Sequence, residues 1–354
     1  MSKKINKYIS INIPQGKHIP TTEDYFSNLN PLGIKDDCRI NQIGCITPDN
    51  EDILCIVAND DTQFSLLPGP EFSPRLYRGQ PRFYEKCTSS LFRAPITQIK
   101  YLTALLKKYE FYKLMADHPI ISYLNQWFID GKQYKINMEG ISGHYEFKTP
   151  MLDVTRSKDI AMFFALCERN KGQKYEPIMD ENREVVLYTI DISTLLIGSN
   201  SDLNIVGFQA LPRPDVQKAF TIIVGKDDNF NNYPYVNCEK FKVNREQSKK
   251  YFEMFEEGKI LFPSDLVDIK AIEIQRSLEI DREVLEVCFE KHWIPKIWPN
   301  LYELCIFLNK HRYRIVDKNL KFSEEEKYRI IKQWNESNTL STDRVKCRLV
   351  SPPR

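Results

Sequence analysis

MLDVTRSKDIAMFFALC, residues 151–167, is the stretch on which the reading of the fold turns. Met151 and Leu152 form an apolar pair and Asp153, Thr155, Arg156 and Ser157 a polar step. Ile160, Ala161, Phe163, Phe164 and Leu166 then recur near helical spacing. The pattern predicts a strand end, a polar turn and a helix start, with Asp153 and Thr155 both able to cap the helix. Such a junction gathers polar side chains and unpaired backbone N–H groups in a small volume, which suits an anionic or ribose-bearing ligand. On its own it also fits a buried cap that only stops a strand.

Outward from that stretch, the chain has 354 residues, 42% of them hydrophobic, enough for one large core or two smaller ones. Fifty Lys plus Arg against 48 Asp plus Glu leave a net charge of +2, so no global charge draws it to nucleic acid or anionic membrane. A local basic groove would draw on Lys107, Lys108, Lys249 and Lys250. The first residues, MSKKINKYISINIPQ, lack the apolar run of a signal peptide, and no run approaches a membrane span, so a cytoplasmic protein with no membrane partner is expected. Nine cysteines, an odd number, include no CxxC pair, and the five histidines are dispersed. Reduced thiols and no metal are the expectation.

Short strands are predicted at 9–13, 39–46 and 52–58, and the PGPEFSP segment (68–74) marks entry to a different unit. Residues 97–128 carry one long or two short helices broken near Pro119. Strands follow at 184–192 and 219–225, with a rigid double-Pro loop (Pro212, Pro214) before the second. Helices are expected over 245–259 ending at Gly258, 282–294, 300–311 and 324–337, the last capped by Ser323, and the basic tail from Arg344 is expected to be loose.

Two further stretches set polar groups among apolar ones. In Leu76-Tyr77-Arg78-Gly79-Gln80, an arginine at a strand end followed by glycine offers a five-donor fork beside backbone that a ligand can approach closely. A turn with a salt-bridged arginine is the competing reading. In Leu211 to Phe220, Gln217 is delivered to a strand start, where it could orient a ribose or be a satisfied edge amide. His144 and Tyr145 lie just ahead of the opening stretch; His144 could cap or stack on a ligand, or be structural. No P-loop, GxGxxG fingerprint or nucleophile elbow is present.

Taken together, YRGQ (77–80) with SLFR (90–93), GHYEFKTPMLDVT (143–155) with Ala161, Phe163, Phe164 and Ala165, and PRPDVQKAF (212–220) resemble the FRG-domain family over roughly residues 70–310. Glu146 stands where that family has glycine, and its Pro-Thr step is rearranged as Lys148-Thr149-Pro150. A glycine at such a place serves an unusual φ or a close approach, so the backbone beside His144 is in question.

The resemblance implies an α+β, ADP-ribosyltransferase-like split, bent sheet with surrounding helices and a helical C-terminal part. It divides the chain into an N-terminal strand and loop region (1–70), the FRG domain (71–310) and a helical extension with tail (311–354). It also implies NAD as substrate, held by Tyr77, Arg78, Gly79, His144, Tyr145 and Thr155, with Arg78, Asp153, Thr155 and Gln217 carrying the chemistry. Gln217 takes the position where many transferases carry Glu. Nicotinamide leaves as a neutral group through an oxocarbenium-like state, so positioning and charge stabilisation carry the work and departure needs no general acid. Gln217 cannot take a proton; Asp153 is the nearest base, or else the acceptor is intrinsically nucleophilic and Asp153 is a buried partner of Arg78. The expected function is ADP-ribose transfer to a protein or nucleic-acid target by a bacterial toxin or antiphage effector, with NAD hydrolysis as a near variant and room for an antitoxin or chaperone partner. The rival is a non-catalytic nucleotide- or nucleic-acid-binding module.

Overall fold

A computed structural model describes residues 54–58, 62–68, 75–93, 97–126, 128–129, 132–170, 174–191, 203–205, 211–294, 296–337 and 347–349. The strands expected at 9–13 and 39–46 lie outside these residues. The strands are β1 (Leu54–Ala58), β2 (Gln63–Pro68), β3 (Arg75–Gln80), β4 (Phe128–Ile129), β5 (Lys132–Tyr134), β6 (Met151–Thr155), β7 (Cys167–Arg169), β8 (Tyr175–Pro177), β9 (Glu184–Asp191), β10 (Leu203–Ile205), β11 (Ala219–Ile223), β12 (Val236–Lys242), β13 (Glu279–Asp281), β14 (Arg314–Val316) and β15 (Cys347–Leu349). The helices are α1 (Gln98–Ala116), α2 (Pro119–Leu124), α3 (Met138–His144), α4 (Lys158–Leu166), α5 (Pro212–Val216), α6 (Arg245–Met254), α7 (Leu266–Arg276), α8 (Arg282–Glu290), α9 (Leu301–Lys310) and α10 (Glu324–Ser337). The architecture is mixed α+β.

The site rests on a six-stranded antiparallel sheet in the order β10-β11-β6-β3-β9-β12. Alternation along β9 buries Val186, Tyr188 and Ile190 with the main core, while Val185 packs with Ala165 and Leu166 of α4 on the other face. The sheet is nearly split in the middle. β3 and β9 pair through six residues and β11 and β6 through five, but β3 and β6 meet only at Tyr77 opposite Thr155.

The opening stretch is the expected strand, turn and helix, with one change. Neither Asp153 nor Thr155 caps α4, because Asp153 is still within β6; Ser157 does so, its Oγ accepting from Ile160 N at 3.3 Å. Thr155 acts one step earlier, its Oγ1 accepting from Ser157 N at 3.1 Å.

Other expectations are corrected by packing. The double-Pro segment is the short helix α5 rather than a loop, since Pro212 and Pro214, both within its first turn, fall where helix N–H groups have no intrahelical partner. Lys107 and Lys108 line no basic groove: both are buried, Lys107 beside Glu110 at 3.3 Å and Lys108 beside Glu139 at 2.6 Å. The C-terminal tail is not wholly loose, because Cys347–Leu349 pairs in parallel with β1. The helices between 97 and 128 break at His118, whose ring accepts from Ile121 N to cap α2. Ser323 caps α10 as expected, with Glu326 returning the bond to Ser323 N at 2.7 Å. Among the described residues no helix is long and apolar enough to cross a membrane.

Candidate functional site

Where β3 and β6 part, a cleft of about 630 Å³ opens, within the range of small-molecule pockets. Its lining includes Tyr77, Arg78 and Gly79 of β3, His144 at the end of α3, Asp153 and Thr155 of β6, and Gln217 ahead of β11. Three segments far apart in sequence thus meet at one place.

Gly79 explains how the floor is built. A Cβ there would lie 1.7 Å from Ala161 O and 2.7 Å from Ala165 N, so α4 crosses β3 at a distance only glycine permits. The same two alanines, fully buried, keep the helix side of the contact flat. Beside Gly79, Arg78 reaches across the split and its Nη1 donates to Asp153 O at 2.6 Å. That bond satisfies a strand carbonyl where the backbone ladder stops. Arg78 Nε is buried with no partner, and among the described residues no carboxylate pairs with the guanidinium. Asp153 is therefore not a buried counter-ion of Arg78; its side chain is 48% exposed and faces His144.

Behind this mouth lies a chain of buried polar groups. Gln217 Nε2 donates to Leu261 O at 2.7 Å, which fixes the amide so that Oε1 faces His144 Nδ1 at 3.1 Å. Since Oε1 can only accept, Nδ1 carries the hydrogen. His144 Nε2 is then a lone-pair acceptor; it has no hydrogen-bond partner and sits 3.5 Å from Asp153 Oδ1. Burial, foremost, holds the His144 pKa below its ordinary value; Asp153 opposes this and Arg213 adds to it. Thr155 Oγ1 donates to Gln217 O at 2.7 Å, so the second and third segments are tied to one another. Arg213 supports the same corner, donating to His144 O at 2.8 Å and to Asp268 at 2.5 Å.

Two residues sit differently from expectation. Tyr145 does not reach the cleft: it is 1% exposed, its hydroxyl donating to Asp265 at 2.7 Å within the core. Gln217 is buried, and each end of its amide already holds a protein partner, Leu261 O and His144 Nδ1. Glu146, by contrast, keeps the backbone that the glycine position implied, with φ of 67°. Its carboxylate holds Arg169 at 2.5 Å, and that guanidinium lies over the rings of Tyr175 and Phe262.

The cleft also contains groups that sequence reasoning did not place in the site. Phe164, Tyr175 and Phe262 form an aromatic wall, with Tyr175 and Phe262 stacked at 5.2 Å. Arg93 lies at the mouth without a hydrogen bond or ion pair to the described residues, and its membership in SLFR was the available signal. Its side chain keeps solvent contact, yet surrounding protein and then the like charge of Arg78 lower its pKa; as an arginine it stays charged at neutral pH. Ser90 of the same motif holds the entry to β6, its Oγ accepting from Thr149 N at 3.2 Å. Among the described residues no group of three or more His, Cys, Asp or Glu could hold a metal ion.

This arrangement offers two guanidiniums without an ion pair among the described residues, hydrogen-bond acceptors at Asp153, and an aromatic wall over which Arg169 lies. Residues 73–174 match the family model described as the FRG domain. The match holds YRGQ, SLFR and the stretch from Gly143 through α4, while Gln217 lies beyond it. No protein of curated function and no solved structure matches the chain.

Proposed function

We propose that the cleft binds NAD and that the protein transfers ADP-ribose from it to a macromolecular target, protein or nucleic acid. The observation that carries this reading is the meeting of Arg78, the Asp153–Thr155 turn and the Gln217 segment in one cleft, with Arg78 and Arg93 unpaired by any described carboxylate. Two neighbouring guanidiniums without counter-ions suit a diphosphate, and each charge-assisted bond to it contributes about 1.5–3 kcal/mol net. The aromatic wall suits nicotinamide or adenine, and the Asp153 carboxylate suits a ribose hydroxyl or an incoming nucleophile. The near-split sheet supports an ADP-ribosyltransferase-like fold, and a toxin or antiphage effector in a bacterial cytoplasm is the setting this activity would fit. A second reading, a nucleotide-binding module without turnover, draws on one fact: the Gln217 position, buried and bonded at both ends of its amide, supplies no carboxylate.

The test is incubation of the purified chain with NAD labelled in its adenylate, followed by separation of lysate protein, RNA and DNA and measurement of free nicotinamide. Label in one fraction, lost in Arg78→Ala, supports transfer. Nicotinamide without labelled acceptor supports hydrolysis. Saturable NAD binding with neither product supports the binding module, and no binding at all removes NAD from the proposal. Arg78→Ala removes one structural hydrogen bond, so a stability loss of about 1 kcal/mol is expected and the variant should stay folded.

A further inference from the structure

The unpaired His144 Nε2 has a consequence for the proton that transfer must release. When nicotinamide departs, its ring nitrogen takes the electron pair of the bond to ribose C1′ and becomes neutral. A lone pair on the acceptor's oxygen or nitrogen makes the new bond to C1′, and the acceptor must shed a proton. Gln217, where a carboxylate could have received it, has no capacity to do so. The Arg side chains lining the cleft are already protonated at neutral pH.

We propose that Asp153 and His144 form a single proton-accepting pair, with Asp153 touching the acceptor and His144 lying behind it as a positioning residue. The inference rests on the NAD reading given above and adds the identity of the base. Asp153 is the half-exposed member, so it receives the proton. His144 Nε2 has almost no exposed surface and meets a ligand only through Asp153. With Nδ1 bonded to Gln217, Nε2 presents its lone pair to Asp153 Oδ1 at 3.5 Å. Two acceptors facing each other leave a gap that one hydrogen fills. Once protonated, Asp153 donates to Nε2, which holds the proton without an imidazolium having to form in a buried site.

Gln217 thereby acquires a role different from holding ribose. Anchored on Leu261 O, it selects the tautomer of His144, as the third group of a nucleophile–base–orienter set does. Of the charged groups around the pair, Arg213 on α5 disfavours a positive charge on His144, while Arg78, Arg93, Glu146, Glu168 and Arg169 line the cleft in front of it.

The test uses the full chain labelled with ¹⁵N in its five histidines, with the His144 signals assigned from a His144→Gln variant. At pH 7 the expected spectrum for His144 is a neutral ring protonated at Nδ1, and Asp153→Asn should perturb the Nε2 resonance and its titration. Gln217→Glu, whose carboxylate favours the imidazolium, should move that titration up by a unit or more. A neutral ring protonated at Nε2, a doubly protonated ring at pH 7, or a titration indifferent to Asp153→Asn overturns the pair. This readout needs no NAD, so it fails or succeeds separately from the NAD reading.

Nicotinamide release from NAD into water, followed from pH 5 to 9, then tests the role. An acidic limb should be present, Gln217→Glu should shift it to higher pH, and Asp153→Asn should lower the plateau about 100-fold or more while leaving NAD saturation within about threefold. Release unaffected by Asp153→Asn overturns the base, as does a chain that releases no nicotinamide. Should Gln217→Glu not fold, Asp153→Asn decides both readouts.

Discussion

Replacing Gly79 by alanine should disrupt the floor of the cleft more than any other single methyl added near it. The new Cβ would fall 1.7 Å from Ala161 O, whereas such contacts essentially never drop below 3.0 Å, so β3 and α4 must separate by about 1.3 Å. Both obstructing groups are helix backbone and cannot rotate away. A gap of 0.5–1 Å already forfeits about a quarter to a half of a dispersion contact, and α4 buries Ile160, Ala161, Phe163, Ala165 and Leu166. The cost should reach or exceed the roughly 3 kcal/mol upper end of ordinary overpacking. At about 2 °C per kcal/mol for a domain of this size class, thermal unfolding should fall by at least about 6 °C. Gly143→Ala is the matched control. It lies in α3 and its Cβ would meet Thr149 Oγ1 at 3.4 Å, an ordinary contact, while helix propensity favours alanine by about 1 kcal/mol. Melting curves by circular dichroism compare the two. If Gly79→Ala melts within 2 °C of the parent, α4 does not cross β3 as described and the cleft has a different floor.

Two other positions lend themselves to direct measurement. Glu146→Gly should leave stability within about 1 kcal/mol of the parent, because relief of a non-glycine residue held at φ 67° (about 1 kcal/mol) offsets loss of the half-exposed pair with Arg169 (about 0–1 kcal/mol). Urea unfolding measures it, and a loss above 2 kcal/mol would mean that Glu146 is required for its charge. His118, fully buried, has its pKa pushed by desolvation from 6.5 to about 3. Between those values the unfolded chain binds more protons than the fold, so stability is lost as pH drops below 6.5, by about 1.4 kcal/mol per unit, until about pH 3. His118→Asn keeps an acceptor for Ile121 N and cannot titrate, so its melting temperature should gain on the parent from pH 7 to pH 5; parallel curves would show that His118 is not buried neutral.

Much of the architecture was readable because it depends on local pattern. The strand-turn-helix at 151–167, the helix break at Pro119, the strand over 184–191 and the Ser323 cap each follow from spacing and from residues with one strong local preference. The glycine-like place of Glu146 was readable in the same way, as a backbone demand that survives the loss of glycine. Helices α3 and α7 were not recognised. MEGISGH carries two glycines and lacks a long apolar period, so its helix is held by the Asn137 cap and by packing of Ile141 rather than by propensity.

By itself the sequence determined which segments would hold polar groups among apolar ones, and so named Arg78, His144, Asp153, Thr155 and Gln217 as residues to watch. Those are choices of residue type at the ends or edges of regular elements, strands and the helix that His144 closes, which local patterning exposes. Only the tertiary structure decided what each does there: that Arg78 spans the split between β3 and β6, that Tyr145 turns into the core, and that Gln217 sets the proton position on His144. Such roles depend on which distant carbonyl or carboxylate lies within 3 or 4 Å, and Leu261, Asp265 and Phe262 come from a segment with no local mark of a site. Chain folding brings these partners together, and no spacing along the chain encodes that proximity.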